Sequence, residues 1–308
     1  MCSFLFTDQE INNFDNTNYY MKFRGPDSTN QVEVNKHIFA HNLLSITGDF
    51  TEQPFINYED DIVCVYNGQI YNYSEFGEYK SDGECLIPLY QKYGDKFIQK
   101  LDGEFAIVLV DFKRNIFIIS TDVFATKPLW YSIGSSIIVA SYESAVKSLR
   151  IRKRHDYVSS PKKLDANIIR VYDLKTRCLV KQLPVYEFDL YQYKTSFDDW
   201  NVAFENSIRK RAFGLRESIF IGLSSGYDSG SISCELNKQN IPYKAYTVVG
   251  SENKDVLEKR FALFNGNSSG VCIPDNRWAY KDYINNNVEE FMYRIFSSSS
   301  DYNEFGLR

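Results

Sequence analysis

With 308 residues, 44% hydrophobic and 16% aromatic, the chain holds enough apolar side chains for two cores at the usual scale of ~100–200 residues per domain. Its 35 basic and 40 acidic residues leave a net charge of -5, which excludes a general attraction to nucleic acid or to an anionic membrane. The opening residues lack the charged, apolar and cleavage-site order of a secretory signal, and no apolar run approaches the ~18 residues of a membrane span.

The first residues, "MCSFLF", place a cysteine directly behind the initiator methionine. Removal of that methionine, favoured before a small residue, exposes the Cys2 α-amine beside the Cys2 thiol. Such a pair is a nucleophile carrying its own base, since the amine titrates near ~7.7–8. A buried structural cysteine is the alternative reading. The cysteines at 2, 64, 85, 178, 234 and 272 form no CxxC pair and no short disulfide-scaffold spacing, so a reducing, cytoplasmic setting is expected. His37, His41 and His155 lack metal-ligand spacing, which argues against a zinc site.

From Cys2 to about residue 185 the sequence reads as short strands broken by turn residues, "DIVCVYNGQIYNY" and "SSIIVASY" among them. Within "FAIVLVDFKRNIFIISTD" two β-rich runs flank the polar "DFKRN", a hairpin signal. "GECLIPLYQKYGDKFIQKL" has helical spacing, with Pro88 near its start where proline is tolerated. Strands, a helix and more strands without regular alternation predict an α+β unit. The locally basic "LRIRKRHDY" (149–157) reads as a solvated loop.

The pattern then changes. "SFDDWNVAFENSIRKRAF" offers Ser196 as an N-cap, acids in the first turn and bases in the last. The strand "ESIFIGL", a Ser/Gly turn, the helical "SGSISCELNKQN" and the strand "YKAYTVVG" follow, which is how an α/β domain with a parallel sheet begins.

Four stretches bear on Cys2. Hydrolysis of an amide by a thiol needs a nucleophile, a proton carrier, donors for the tetrahedral oxyanion and groups that hold the substrate. In "YNGQIYNY" the Asn67 side chain and the unobstructed Gly68 N–H can serve one oxyanion; "RGPD" offers Arg24 for a carboxylate, and "SDGE" offers Asp82 for an ammonium. A free amino acid with an amide side chain has both charges, which points to glutamine. Taken singly, the same stretches read as a hairpin turn, a Pro-Asp turn with a surface arginine, and a helix cap.

Their order, with "AHNLLSITG", "QPF", "LDGEFAIVLVDF", "TDVFATKPLWY" and "ASYESAVKSL", resembles the class II glutamine amidotransferase domain, and more specifically the glutaminase half of glutamine-dependent asparagine synthetase. The resemblance covers essentially residues 2 to 150. It implies an N-terminal-nucleophile hydrolase fold, a four-layer αββα sandwich. By the resemblance Cys2 is the nucleophile, Arg24 holds the glutamine carboxylate, Asn67 and Gly68 bind the oxyanion and Asp82 holds the amine. The chain departs from the family pattern at Gln69, where an acid is usual, at Leu43, where an arginine is usual, and in "DVFATKPLW", which replaces a glycine-bearing loop.

A second constellation, "IFIGLSSGYDSGSI" (219–232), is a strand that ends in small residues and opens into a helix, an arrangement that exposes N–H groups to phosphate. "LSSGYDSG" resembles the SGGxDSS loop of ATP pyrophosphatases, with Ser225 where glycine is usual. By that resemblance Ser224, Gly226, Asp228 and Ser229 lie at the pyrophosphate of ATP, Asp228 at its Mg²⁺, and Leu223 and Val248 near the adenosine. The expected domains are a glutaminase unit, 2–190, and a partial asparagine-synthetase-like ATP-pyrophosphatase unit, 195–308. The family's later SGEGSDE-like loop does not occur before Arg308, so the chain is expected to hydrolyse glutamine without making asparagine from aspartate. A stand-alone glutaminase or ammonia-donating subunit, and a glutamine-sensing scaffold, are the other readings. A homodimer or a synthetase partner is a further expectation.

Overall fold

The computed structural model describes residues 2–149, 160–212, 215, 218–250, 252–266 and 268–274. His155, most of the basic stretch 149–157 and the terminal "SSSSDYNEFGLR" lie outside them. The chain divides into two compact units, 1–190 and 191–308.

Two antiparallel six-stranded sheets build the first unit. One runs, edge to edge, Lys162–Lys163, Trp130–Ile133, Ile137–Ala140, Ser3–Thr7, His37–Leu43 and Ser28–Val34. The other runs Leu179–Pro184, Ile168–Asp173, Ile116–Thr121, Gly103–Asp111, Ile62–Ile70 and Phe55–Asn57. The expected hairpin is the pair Gly103–Asp111 and Ile116–Thr121.

These strands read as continuous apolar runs because both of their faces are covered. In Gly103–Asp111, Ala106, Val108 and Val110 join Phe4, Phe6, Phe39 and Val139 in a core between the sheets. The alternate residues Phe105, Ile107 and Leu109 pack outward on Leu86, Leu89, Phe97 and Ile98. Those come from the helix Leu86–Tyr93 and the 3-10 turn Gly94–Lys100. On the far side, Leu5, Ala40, Ile138 and Ala140 pack on Ala145, Val146 and Leu149 of the helix Glu143–Leu149. Helix, sheet, sheet, helix is a four-layer αββα sandwich, so the unit is α+β.

The hairpin-turn reading of Asn67–Gly68 is overturned. The strand Ile62–Ile70 runs straight through both, pairing Asn67 with Ala106 and Gly68 with Phe105. "SDGE" does open a helix, the 3-10 turn Asp82–Cys85, and the Glu84 carboxylate accepts the Lys80 and Ser81 N–H groups. Arg24 caps the 3-10 turn Met21–Phe23, and Asp27 accepts the Ser45 N–H at 2.8 Å.

The second unit holds a parallel sheet in the order Ile219–Gly222, Tyr243–Val249, Ser269–Pro274, with helices Asp198–Ala212, Tyr227–Lys238 and Lys254–Phe261. Ser196 accepts the Asp198 N–H, so the first of these helices begins with the acids expected of it. Leu223, Leu236, Ala245 and Leu257 are buried at its centre.

Candidate active site

Cys2 immediately precedes Ser3–Thr7, a strand flanked on both sides by antiparallel partners. Its sulfur lies against the end of His37–Leu43: the Leu44 N–H donates to Sγ at 3.3 Å, and the thiol donates to the Leu44 carbonyl at 3.6 Å. Burial, with a smaller contribution from the Asp82 charge, pushes the thiol above its ordinary value, while the Leu44 hydrogen bond and the Arg24 charge oppose that rise.

Asn67 lines the same pocket. It is fully buried, yet neither its amide nitrogen nor its amide oxygen has a hydrogen-bond partner. A buried polar group in that condition costs about 1–3 kcal/mol, so the site holds an amide ready for a ligand. Beside it, a Cβ at Gly68 would stand 2.0 Å from the Glu104 carbonyl oxygen and 2.7 Å from the Phe105 Cα, so only glycine permits this approach of the two strands.

Asp82 also lines the pocket, buried and held by two donors: the Tyr66 hydroxyl at 2.6 Å and the Ile70 N–H at 2.8 Å. Burial raises its carboxyl to about 6, and these hydrogen bonds oppose the rise. The segment 43–47, with Gln53 and Phe55, forms a further part of the wall. Gln53 fixes the strand Ile62–Ile70 from the side, its Oε1 accepting the Tyr66 N–H at 2.8 Å.

Cys2, Asn67, Gly68 and Asp82 therefore share one pocket. Arg24 is not among its lining residues; its guanidinium lies 5.5 Å from the centre of the Tyr142 ring.

A family model described as a glutamine amidotransferase domain matches residues 1–184. The chain belongs to this glutamine amidotransferase family. A Methanocaldococcus jannaschii protein named as a glutamine-hydrolyzing asparagine synthetase is 29% identical over 262 residues, covering 78% of this chain and 47% of the relative. A Dictyostelium discoideum protein named in the same way is 32% identical over 142 residues, covering 41% of this chain and 25% of the relative. This chain thus spans about half, or less, of the length of these relatives. A solved glutamine phosphoribosylpyrophosphate amidotransferase from B. subtilis aligns at 15% identity and TM-score 0.48, covering 79% of this chain and 65% of that one.

The amidotransferase pocket has polar residues that sequence reasoning left without a role. Tyr66 holds Asp82, and Gln53 holds the strand Ile62–Ile70. Lys127 and Glu104 form an ion pair of 3.1 Å on its wall. No periodicity marks Lys127; a lysine three residues after the exposed Phe124 looks like surface until the fold buries it.

The Ser/Gly loop of the second unit differs in kind. Its Ser224 N–H donates to Ser229 Oγ at 3.0 Å and its Gly226 N–H to Ser224 Oγ at 3.2 Å. Both the N–H and the hydroxyl of Ser225 donate to the Glu252 carboxylate, and Arg260 donates to the Ser224 carbonyl. These bonds hold the Glu252 carboxyl below its ordinary value. Asp228 is exposed in the first turn of the helix Tyr227–Lys238, Leu223 is buried, and Val248 is 57% exposed. With the N–H groups of 224, 225 and 226 engaged by the chain's own oxygens, this arrangement does not present an open cradle for the phosphates of ATP. Among the described residues no cluster of three or more His, Cys, Asp or Glu is placed to hold a metal ion. No described helix is long and apolar enough to cross a membrane.

Proposed function

We propose that residues 2–190 hydrolyse glutamine at Cys2. The observation that carries this reading is the buried, unpartnered amide of Asn67 in a pocket shared with the Cys2 thiol. Once Met1 is removed, the Cys2 amine takes the thiol proton, and the sulfur attacks the side-chain carbonyl of glutamine. The oxyanion forms against the Asn67 amide and the Gly68 N–H, which gain their partner as charge develops. The protonated amine delivers its proton to the departing nitrogen, the C–N bond breaks, and ammonia leaves a γ-glutamyl thioester on Cys2. Water, deprotonated by the same amine, attacks the thioester and releases glutamate. Asp82, set by Tyr66 and Ile70, holds the substrate ammonium, and the Arg24 charge favours the thiolate from a distance.

The relatives are named for glutamine hydrolysis and asparagine synthesis; the use we propose for the ammonia is amidation of a carboxylate, aspartate to asparagine, with ATP and Mg²⁺ as the cofactors such a reaction would take. For this chain, with residues 195–308 read as part of a synthetase-like unit, the engaged loop at 224–226 favours a second reading. In it the chain is a glutaminase or ammonia-donating subunit, acting in the cytoplasm as a homodimer or beside a synthetase partner. The test is a protein with a verified Cys2 N-terminus, which should release glutamate and ammonia in equal amounts without ATP or aspartate. Cys2→Ala, or a residue left in front of Cys2, should abolish that release. Undiminished turnover by either would remove Cys2 and its amine from the mechanism.

A further inference from the structure

A bound glutamine brings a carboxylate as well as an ammonium, and the pocket is poorly supplied with positive charge. Its lining carries three acids, Asp49, Asp82 and Glu104, and among the described residues a single cationic side chain, Lys127. That side chain is only 5% exposed and its ammonium lies 3.1 Å from Glu104. The turn that carries it is built for precise placement. The Asp122 carboxylate accepts the Phe124 and Thr126 N–H groups and the Thr126 hydroxyl, and also the Phe105 N–H of the strand that carries Glu104.

Glu104 pairs in register with Gln69, two residues beyond Asn67 on the neighbouring strand. Alternate residues share a face, so Asn67, Gln69 and Glu104 lie on the face whose Val63, Val65, Ala106 and Val108 pack toward the sheet that holds Ser3–Thr7. Two residues along a strand span ~6.6 Å, a separation on the scale of an extended glutamine.

We propose that Lys127 is the specificity-determining residue that receives the substrate's α-carboxylate, with Glu104 as the internal carboxylate that holds its place until glutamine arrives. The inference rests on the glutaminase reading. It assigns to Lys127 the task that sequence reasoning gave to Arg24. Asp82 takes one charge of the zwitterion and Lys127 the other, which selects free glutamine over a glutamine within a peptide or with a blocked carboxylate.

The experiment is steady-state hydrolysis of L-glutamine and of L-glutaminamide, whose α-carboxylate is a neutral amide, by wild type, Lys127→Met, Lys127→Arg and Glu104→Gln. Lys127→Met should raise the KM for glutamine by about 10-fold or more, with kcat and the KM for glutaminamide within about twofold of wild type. Lys127→Arg should restore most of the glutamine KM. Glu104→Gln, which removes the competing carboxylate, should leave that KM at or below wild type. If Lys127→Met and Glu104→Gln impair both substrates alike, the pair is merely structural and the inference is overturned. The Glu104→Gln arm keeps that judgement available even if Lys127→Met fails to fold. Absence of turnover of either substrate by wild type instead overturns the glutaminase reading, and this inference with it.

Discussion

The Cys2 pocket of the first unit and the Ser/Gly loop of the second treat their polar groups in opposite ways. In the first, the buried Asn67 amide has no partner at either atom. In the second, the loop from Ser224 to Ser229 is closed on itself and on Glu252, which accepts both donors of Ser225. An unsatisfied buried group is an expense the fold bears so that a ligand can relieve it, whereas a satisfied loop gives an incoming anion little to gain. Resemblance to a family's motif is therefore a weaker guide to binding than whether the motif's donors are still free.

The sharpest way to break this comparison is at Asn67. Asn67→Ala should lower kcat by about 10²–10³-fold with a much smaller change in KM, since the oxyanion exists only in the transition state. Asn67→Leu, which replaces the unpartnered amide by an apolar group of similar size, should abolish turnover while raising the melting temperature of the free protein. A Leu variant that melts lower than wild type would show that the amide is satisfied in solution.

The next effect concerns Asp82. With its carboxyl raised to about 6, it gains a proton as pH falls through that value and loses its hold on the substrate ammonium. The KM for glutamine should therefore climb below about pH 6. In Asp82→Asn the KM should be high throughout and flat across that window. An unchanged acid limb in the variant would place the titrating group elsewhere.

A smaller effect is expected at Glu252. Glu252→Ala should free the Ser225 N–H and speed amide hydrogen exchange across 224–226, corresponding to about 1 kcal/mol of local stability. In wild type, Mg²⁺ with ATP should leave that exchange unchanged. Protection of the loop by nucleotide would erase the contrast between the units.

The smallest expected effect is in the turn that carries Lys127, where Ala125 sits at φ 50°, a region that disfavours a Cβ. Ala125→Gly should stabilise the first unit by about 0.5 kcal/mol, the relief of that strain less the extra freedom glycine gives the unfolded chain. Chemical denaturation midpoints of the two proteins measure it.

Much of this was legible beforehand. The polar "DFKRN" between two apolar runs marks its hairpin, and the change of rhythm after residue 185 marks a second kind of unit. Asn67–Gly68 was harder to place, because Asn-Gly is the strongest two-residue turn signal and only pairing with Ala106 and Phe105 shows a strand passing through it. Arg24 is near Cys2 in chain position, but pocket lining is decided by which sheet end a residue reaches. Glu252 and Ser225 are 27 residues apart, and no local pattern reports such a contact. Lys127 escaped notice because lysine is read as surface by default.

Ser3–Thr7 is buried along its whole length and zipped to a neighbour on each edge. A strand so placed resists fraying, and its amides should exchange only with wide opening of its sheet. The Cys2 sulfur, the nucleophile proposed above, is thus moored to the last part of the unit to yield. Heat should leave no stage at which the protein is folded but inactive, and the decay of catalysis on warming can be read as a clock for global unfolding.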